Sequence, residues 1–277
     1  MNEDKIQTLL YRPEFPRSNA YDPAWVLENQ MGPNALWLVE WLTRELDIKS
    51  GMRVLDLGCG KAMTSIFLAR EFGVQVWAAD LWITPDHNQK RAEEAGVQGL
   101  VFPFRAEAHS LPFAADFFDA VISIDAYQYF GTDILYLQYL LRFVRQNGQV
   151  GVVVPGLMRE VESVPEHLAR PQANGKVFWE DECWCFQTAD WWRRHWGRNS
   201  GVGDLRVDTL PDGWRLWRDF ERALETSGKA LFPSDAEALE HDRGEHLGFV
   251  RARSRKIGET GLNFYDPAIG IEVGVDR

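Results

Sequence analysis

Between Gly51 and Val154 the chain alternates short apolar runs with amphipathic stretches. Arg53–Leu57 (RVLDL), Val74–Ala79 (VQVWAA), Gly99–Phe104, Phe118–Ser123 (FDAVIS) and Gln149–Val154 (QVGVVV) read as five strands. Lys61–Phe72, a stretch from Thr84 to Ala95, and Asp133–Val144 read as the helices between them, with Asn147-Gly148 as a turn ending the third. Near-continuous apolar strands separated by helices predict a parallel sheet covered on both faces. Pro155–Gly203 is too long for a bare connection and contains a candidate helix, Ala189–Asn199. A sixth strand at Leu205–Leu210, a helix at Trp214–Thr226 and a short one at Asp235–His241 follow. His246–Ala252 has the alternation of a seventh, edge strand, which implies an antiparallel terminal hairpin. Ahead of the sheet, Ala24–Gln30 and Pro33–Leu46 are helical candidates.

This pattern divides the chain into an N-terminal helical lid (1–50), a core (51–154), an insertion after strand five (155–204) and a segment completing the same sheet (205–256). The tail, 257–277, has no clear period and receives no assignment. At 277 residues and 45% hydrophobic, the chain is sized for one large domain with a substantial core. The balance of 30 basic against 41 acidic residues gives −11. That sign repels phosphate backbones and anionic lipid, so neither nucleic acid nor a membrane is an expected partner. The one dense basic stretch is WWRRHWGR, Trp191–Arg198. Cys59, Cys183 and Cys185 make no disulfide framework, and the acidic start MNEDKIQ lacks a signal-peptide core. A cytoplasmic protein is expected, and a homodimer is left open. Seven of the 12 tryptophans fall between Trp179 and Trp217, most of them in the insertion.

Chemistry enters at VLDLGCGKAM, Val54–Met63. A turn that cradles a pyrophosphate wants a third glycine where Met63 stands, and no Lys-Ser/Thr pair has Walker spacing. What remains is an acid, Asp56, before the glycines Gly58 and Gly60, and a second acid, Asp80, closing the next strand. Asp80 is placed to accept from two vicinal ribose hydroxyls, and Asp56 from an ammonium, directly or through water. A nucleoside carrying an amino acid and no phosphate meets these demands. VLDLGCGKA resembles motif I of the class I S-adenosylmethionine-dependent methyltransferases, in their small-molecule branch. Ala106–Ser123 (AEAHSLPFAADFFDAVIS) resembles the same family's later signature. The resemblance covers residues 50–154 and implies an α/β, Rossmann-like fold: a seven-stranded, mostly parallel sheet with an antiparallel last strand, helices on both faces, an N-terminal helical lid and a Trp-rich insertion after strand five. It implies S-adenosyl-L-methionine as cofactor, held by Asp56, Gly58, Cys59, Gly60, Asp80, Leu81, Glu107, Ala108, Ser123 and Asp125. Lys61, Ala62 and Glu107 depart from the commoner residues of the motifs without blocking the backbone's approach.

In this kind of fold the acceptor lies outside the carboxyl ends of the strands. Tyr11, Tyr21 and Trp25 from the lid, Tyr129 after strand four, and Trp179 and Trp184 from the insertion are the candidates to bind it. A competing reading packs the aromatic stripe of Trp191, Trp192 and Trp196 onto the core. Tyr127, Asp125 and His195 are the candidate catalytic groups, since a hydroxyl acceptor needs a base and a neutral tertiary amine does not. His109 is read as ordering its loop. No metal is expected: the acidic cluster with His241 and His246 lacks helical ligand spacing. The expected activity is methyl transfer to oxygen, nitrogen or carbon of a small molecule. The alternative is a protein of this fold that binds the cofactor without transferring methyl.

Overall fold

The structure, a computed structural model, describes residues 2–266; the last eleven positions of the unassigned tail lie outside the described residues. In chain order the elements are α1 (Asn2–Leu10), α2 (Pro23–Asn29), α3 (Ala35–Thr43), β1 (Arg53–Leu57), α4 (Met63–Phe72), β2 (Gln75–Asp80), α5 (Pro85–Glu94) and β3 (Val101–Arg105). After these come β4 (Phe118–Ile124), α6 (Tyr136–Leu141), β5 (Val144–Leu157), α7 (Ala189–Gly197), β6 (Val202–Thr209), α8 (Gly213–Ser227), α9 (Ala236–Asp242) and β7 (Leu247–Lys256). The seven strands form one sheet in the order β3-β2-β1-β4-β5-β7-β6, with β7 alone antiparallel to its neighbours. Order reverses at β1, whose successor β2 lies on one side and β4 on the other, and that reversal opens a crevice at the carboxyl ends of β1 and β4.

Two apolar layers close the sheet. Val54, Val76 and Ile122 face α3, α4 and α8, while Leu55, Val121 and Val152 face α6 and α7. Asn34 caps α3 by accepting from the Leu36 amide, two residues later than a start at Pro33 would place the cap. Gly73, left-handed at φ 64°, ends α4.

Three expectations change. β7 is not an edge strand: it pairs with β5 from Gln149 opposite Arg255 to Leu157 opposite Leu247, and β6 forms the edge. Arg251 and Arg253 of β7 are buried against Asp208 and Asp204, so carboxylates from the neighbouring strand stand in for water. β5 begins at Val144, and Asn147-Gly148 is a bulge within it, with Asn147 at φ 61° and a register shift against Phe118 and Ala120. α6 is correspondingly shorter than the run Asp133–Val144. Among the described residues no helix is long and apolar enough to cross a membrane.

The insertion splits between layers. Trp192 and Trp196 of α7 are fully buried around Tyr127, and Phe178 and Trp179 join the opposite layer. Beyond it, His167 and His246 converge on Asp242, at 2.9 and 3.0 Å. The His246 and Leu247 amides also donate to that carboxylate, and Arg159 donates to the other His246 nitrogen, Nε2, at 3.1 Å. A guanidinium on His246 opposes a cation there, and the cluster pins the start of β7 to the end of β5.

Candidate functional site

The crevice is built on an unusual run of left-handed residues. Gly58, Gly60 and Ala62 have φ of 75°, 52° and 60°, which turns the chain sharply from β1 into α4. A Cβ on Gly58 would lie 2.4 Å from the Ala126 Cβ, so the loop after β4 presses on the turn from one side. The Gly58 and Cys59 amides donate to Ala79 O at 2.9 and 3.0 Å, fixing the turn to the end of β2. Gly58→Ala combines left-handed strain of about 1–2 kcal/mol with overpacking of about 1–3 kcal/mol. Urea denaturation should therefore show an unfolding free energy lower by roughly that sum, with Ala126→Gly restoring only the packing share; an undiminished stability refutes the close approach.

Asp80 organises the other side. Its Oδ2 accepts from the Gly60 amide at 2.8 Å, and its Oδ1 from the Trp82 and Ile83 amides, each at 2.8 Å. Both lone pairs of Oδ1 are thus used, and Oδ2 keeps one acceptor direction. The side chain of Asn88 donates to Gly60 O at 2.8 Å, and Arg91 ties Asn88 to Asn29 of the lid.

Asp56 lies beneath the turn, completely buried. Its Oδ2 accepts from Thr64 and Ser65 at 2.5 and 2.6 Å, whereas Oδ1 has no partner. Burial pushes its carboxyl up to about 6, with the two hydroxyls opposing and the charge of Asp80 adding. Cys59 is buried too, and burial with the nearby Asp56 and Asp80 charges keeps its thiol protonated. Ser123 donates to Leu57 O at 2.7 Å, so its hydroxyl fastens β4 to β1 instead of lining the crevice.

At the end of β4, Asp125 has φ 54°, a strained setting for a non-glycine residue of the kind that clusters at functional sites. Gln128 donates to it at 3.3 Å, and burial pushes its carboxyl up to about 7. The segment between α2 and α3 packs against it: a Cβ on Gly32 would come 2.3 Å from Asp125 Oδ2, and one on Gly60 would come 3.0 Å from the Met31 sulfur. Lys61 donates to Glu28 O at 2.9 Å, a further tie between lid and turn. On the far rim Glu107 accepts from the His109 amide and from its Nδ1, both at 2.8 Å, while Tyr136 donates to Ala108 O at 3.0 Å. Leu81 and Trp82 are exposed on that rim.

The structure therefore brings Gly58, Cys59, Gly60, Asp80 and Asp125 together at one crevice, with Asp56 below and Leu81, Glu107 and Ala108 along its edge. Other expected groups lie elsewhere. Tyr127 is fully buried between Trp192 and Trp196, and burial holds its phenol protonated, so it faces the α6–α7 layer and no ligand. His195 is buried, stacked on Trp191 at 4.4 Å with Nε2 3.0 Å from Gly131 O, a tie between α7 and the loop after β4. Burial lowers its pKa, which keeps the ring neutral. Tyr21 packs on Phe67 of α4 and donates to Glu71, with Trp25 tilted against it at 5.7 Å; both anchor the N-terminal segment to α4, away from the crevice. Tyr11 is exposed after α1. Tyr129 and Trp184 are exposed on short turns, Tyr127–Tyr129 and Asp181–Cys185, that touch each other, and Trp179 backs Trp184 at 5.2 Å. Sequence reasoning missed Met31, Gly32 and Asn88; only the bend at Gly32-Pro33 and a polar residue on the buried face of α5 hinted at them.

Comparison with known proteins agrees with this geometry. Residues 54–148 match the family described as methyltransferase domain. The chain is 29% identical over 132 residues to the methyltransferase GfsG of Streptomyces halstedii, covering 45% of this chain and 46% of that protein. Erythromycin 3''-O-methyltransferase of Saccharopolyspora erythraea is 25% identical over 240 residues, 80% of this chain and 78% of its own length. The chain spans about half the length of several curated relatives it matches, GfsG among them. The geranyl diphosphate C-methyltransferase of Streptomyces coelicolor A3(2) superposes with a TM-score of 0.61 at 16% identity, over 91% of this chain and 87% of that one, a likeness of fold.

Proposed function

We infer, for a chain that belongs to the class I S-adenosylmethionine-dependent methyltransferases, that it methylates a small-molecule acceptor positioned above Asp125. The observation that carries this reading is the Asp80 carboxylate, folded onto the Gly60 amide with one acceptor direction left over. A glycine turn whose adjoining helix starts at a buried Met63, with a carboxylate at its lip, suits ribose hydroxyls and not a pyrophosphate. The unpartnered Asp56 Oδ1 below the turn suits an ammonium, reached directly or through water. Glu107 and Ala108 would face the adenine edge and Leu81 its ring. S-adenosylmethionine supplies an electrophilic methyl on a sulfonium when bound.

The chain's own residues do the remainder. Met31 and Gly32 cover Gly60 and Asp125 and keep water off the reacting atoms. Asp125, with its carboxyl near neutrality, takes the proton that a hydroxyl or carbon acid must release. Holding donor and acceptor in near-attack geometry contributes on the order of 7–11 kcal/mol. Tyr129, near Asp125, and Trp184, on the turn that touches it, offer aromatic surface to an acceptor methylated at oxygen, nitrogen or carbon.

Titration calorimetry with S-adenosylhomocysteine, followed by mass analysis of hydroxylated, isoprenoid and amine acceptors incubated with S-adenosylmethionine, tests the reading. A Kd in the micromolar range and a one-methyl mass gain on one of these acceptors are expected. No binding overturns it, and binding without turnover across the panel turns it toward a protein that holds the cofactor without transferring methyl.

A further inference from the structure

We propose that the chain's C-terminal segment straps the adenine-edge loop, with Tyr265 as a positioning residue that acts on Glu107 through His109. The inference rests on the reading above that Glu107 faces adenine. After β7 the chain leaves the sheet at Ile257, whose amide donates to Gly201 O at 2.9 Å, and runs back across α6. Gln138 donates to Leu262 O at 3.1 Å and Arg142 to Gly261 O, so two side chains of the α6 region hold the segment. It ends its described course with the Tyr265 hydroxyl donating to Asp133.

That anchor sets the Tyr265 ring against His109, centroids 4.8 Å apart at 60°, and against Tyr139 at 5.4 Å. His109 also meets Tyr136 at 5.0 Å, and the Tyr136 and Tyr265 centroids lie 6.4 Å apart, so the three rings form one mutually packed cluster. His109 is therefore held by two rings from distant parts of the chain. Its Nδ1 and amide both contact the Glu107 carboxylate at 2.8 Å, so the cluster fixes the direction of that carboxylate's remaining lone pairs. Glu107 is otherwise half-exposed, and an exposed carboxylate on a loop samples several rotamers and loses that freedom when it grips a ligand. Ordering it beforehand lowers the cost of binding. The strap does not touch the crevice where methyl transfer would occur, so its effect belongs to cofactor affinity.

Calorimetry with S-adenosylhomocysteine and with adenosine, on the full chain and its variants, tests the strap. Tyr265→Ala should weaken both ligands about tenfold and raise KM for S-adenosylmethionine by a similar factor, with kcat within twofold. Tyr265→Phe, which keeps the ring on His109, should recover most of the loss. In a His109→Ala background Tyr265→Ala should cost nothing further, a non-additivity that a merely structural tail would not show. Unchanged affinity in Tyr265→Ala, or a full tenfold loss that persists without His109, overturns the strap while the cofactor site stands. Failure of the unaltered protein to bind either ligand overturns both.

Discussion

Asp80→Ala should weaken S-adenosylhomocysteine binding by at least about a hundredfold. Hydrogen bonds to a charged group contribute about 1.5–3 kcal/mol each, and a factor of ten in Kd corresponds to about 1.4 kcal/mol. One ribose bond and one displaced amide already reach the hundredfold range. The Asp80 carboxylate holds the Gly60, Trp82 and Ile83 amides, so its loss releases both the glycine turn and the rim that leads to Leu81. Asp80→Asn separates the two roles. Its one amide oxygen can keep the Trp82 and Ile83 amides while the NH2 faces the Gly60 amide, so the rim should hold while the Gly60 contact and ribose recognition fall. Calorimetry read beside the thermal midpoint tells them apart, and a variant that binds like the unaltered chain refutes the assignment.

Asp125→Asn should remove turnover on a hydroxyl or carbon acceptor by about 10²–10⁴-fold, the usual contribution of a positioned base, while leaving S-adenosylhomocysteine affinity within a few fold. The pH profile gives the sign. Asp125 must be ionised to accept a proton, and burial raises its carboxyl from 3.8 to about 7, so kcat/KM should climb tenfold per unit below pH 7 and level off above it. Stability runs the other way. Between about pH 4 and pH 7 the native state holds a proton that the unfolded chain has lost, so this group's contribution falls as pH rises through that window. Asparagine carries no such penalty, and the variant should melt at or above the unaltered chain at pH 8. A variant that keeps its turnover, or an acid limb that survives the substitution, sinks Asp125 as the base.

Much of this site was legible because its groups are local in sequence. The turn Gly58–Gly60 and the acid Asp80 follow from backbone demands: left-handed φ values, a close approach by Ala126, and three amides needing one acceptor. His195 and Tyr127 misled because a titratable group on an aromatic stretch looks chemical until its surroundings are known. Packing of α7 against β6, β7 and the loop after β4 turned both inward, away from the crevice. Met31 and Gly32 carried no chemical signal at all, since their part in the site is steric.

The sequence by itself determined the α/β alternation, the glycine turn and the acids that frame it, because periodicity, turn chemistry and short-range hydrogen bonding are written in neighbouring residues. Only the tertiary structure decided that β7 lies inside the sheet, that Gly32 comes against Asp125, and that Tyr265 reaches His109. These depend on contacts between segments far apart in the chain, where charge pairing and steric fit, not local pattern, choose the partner.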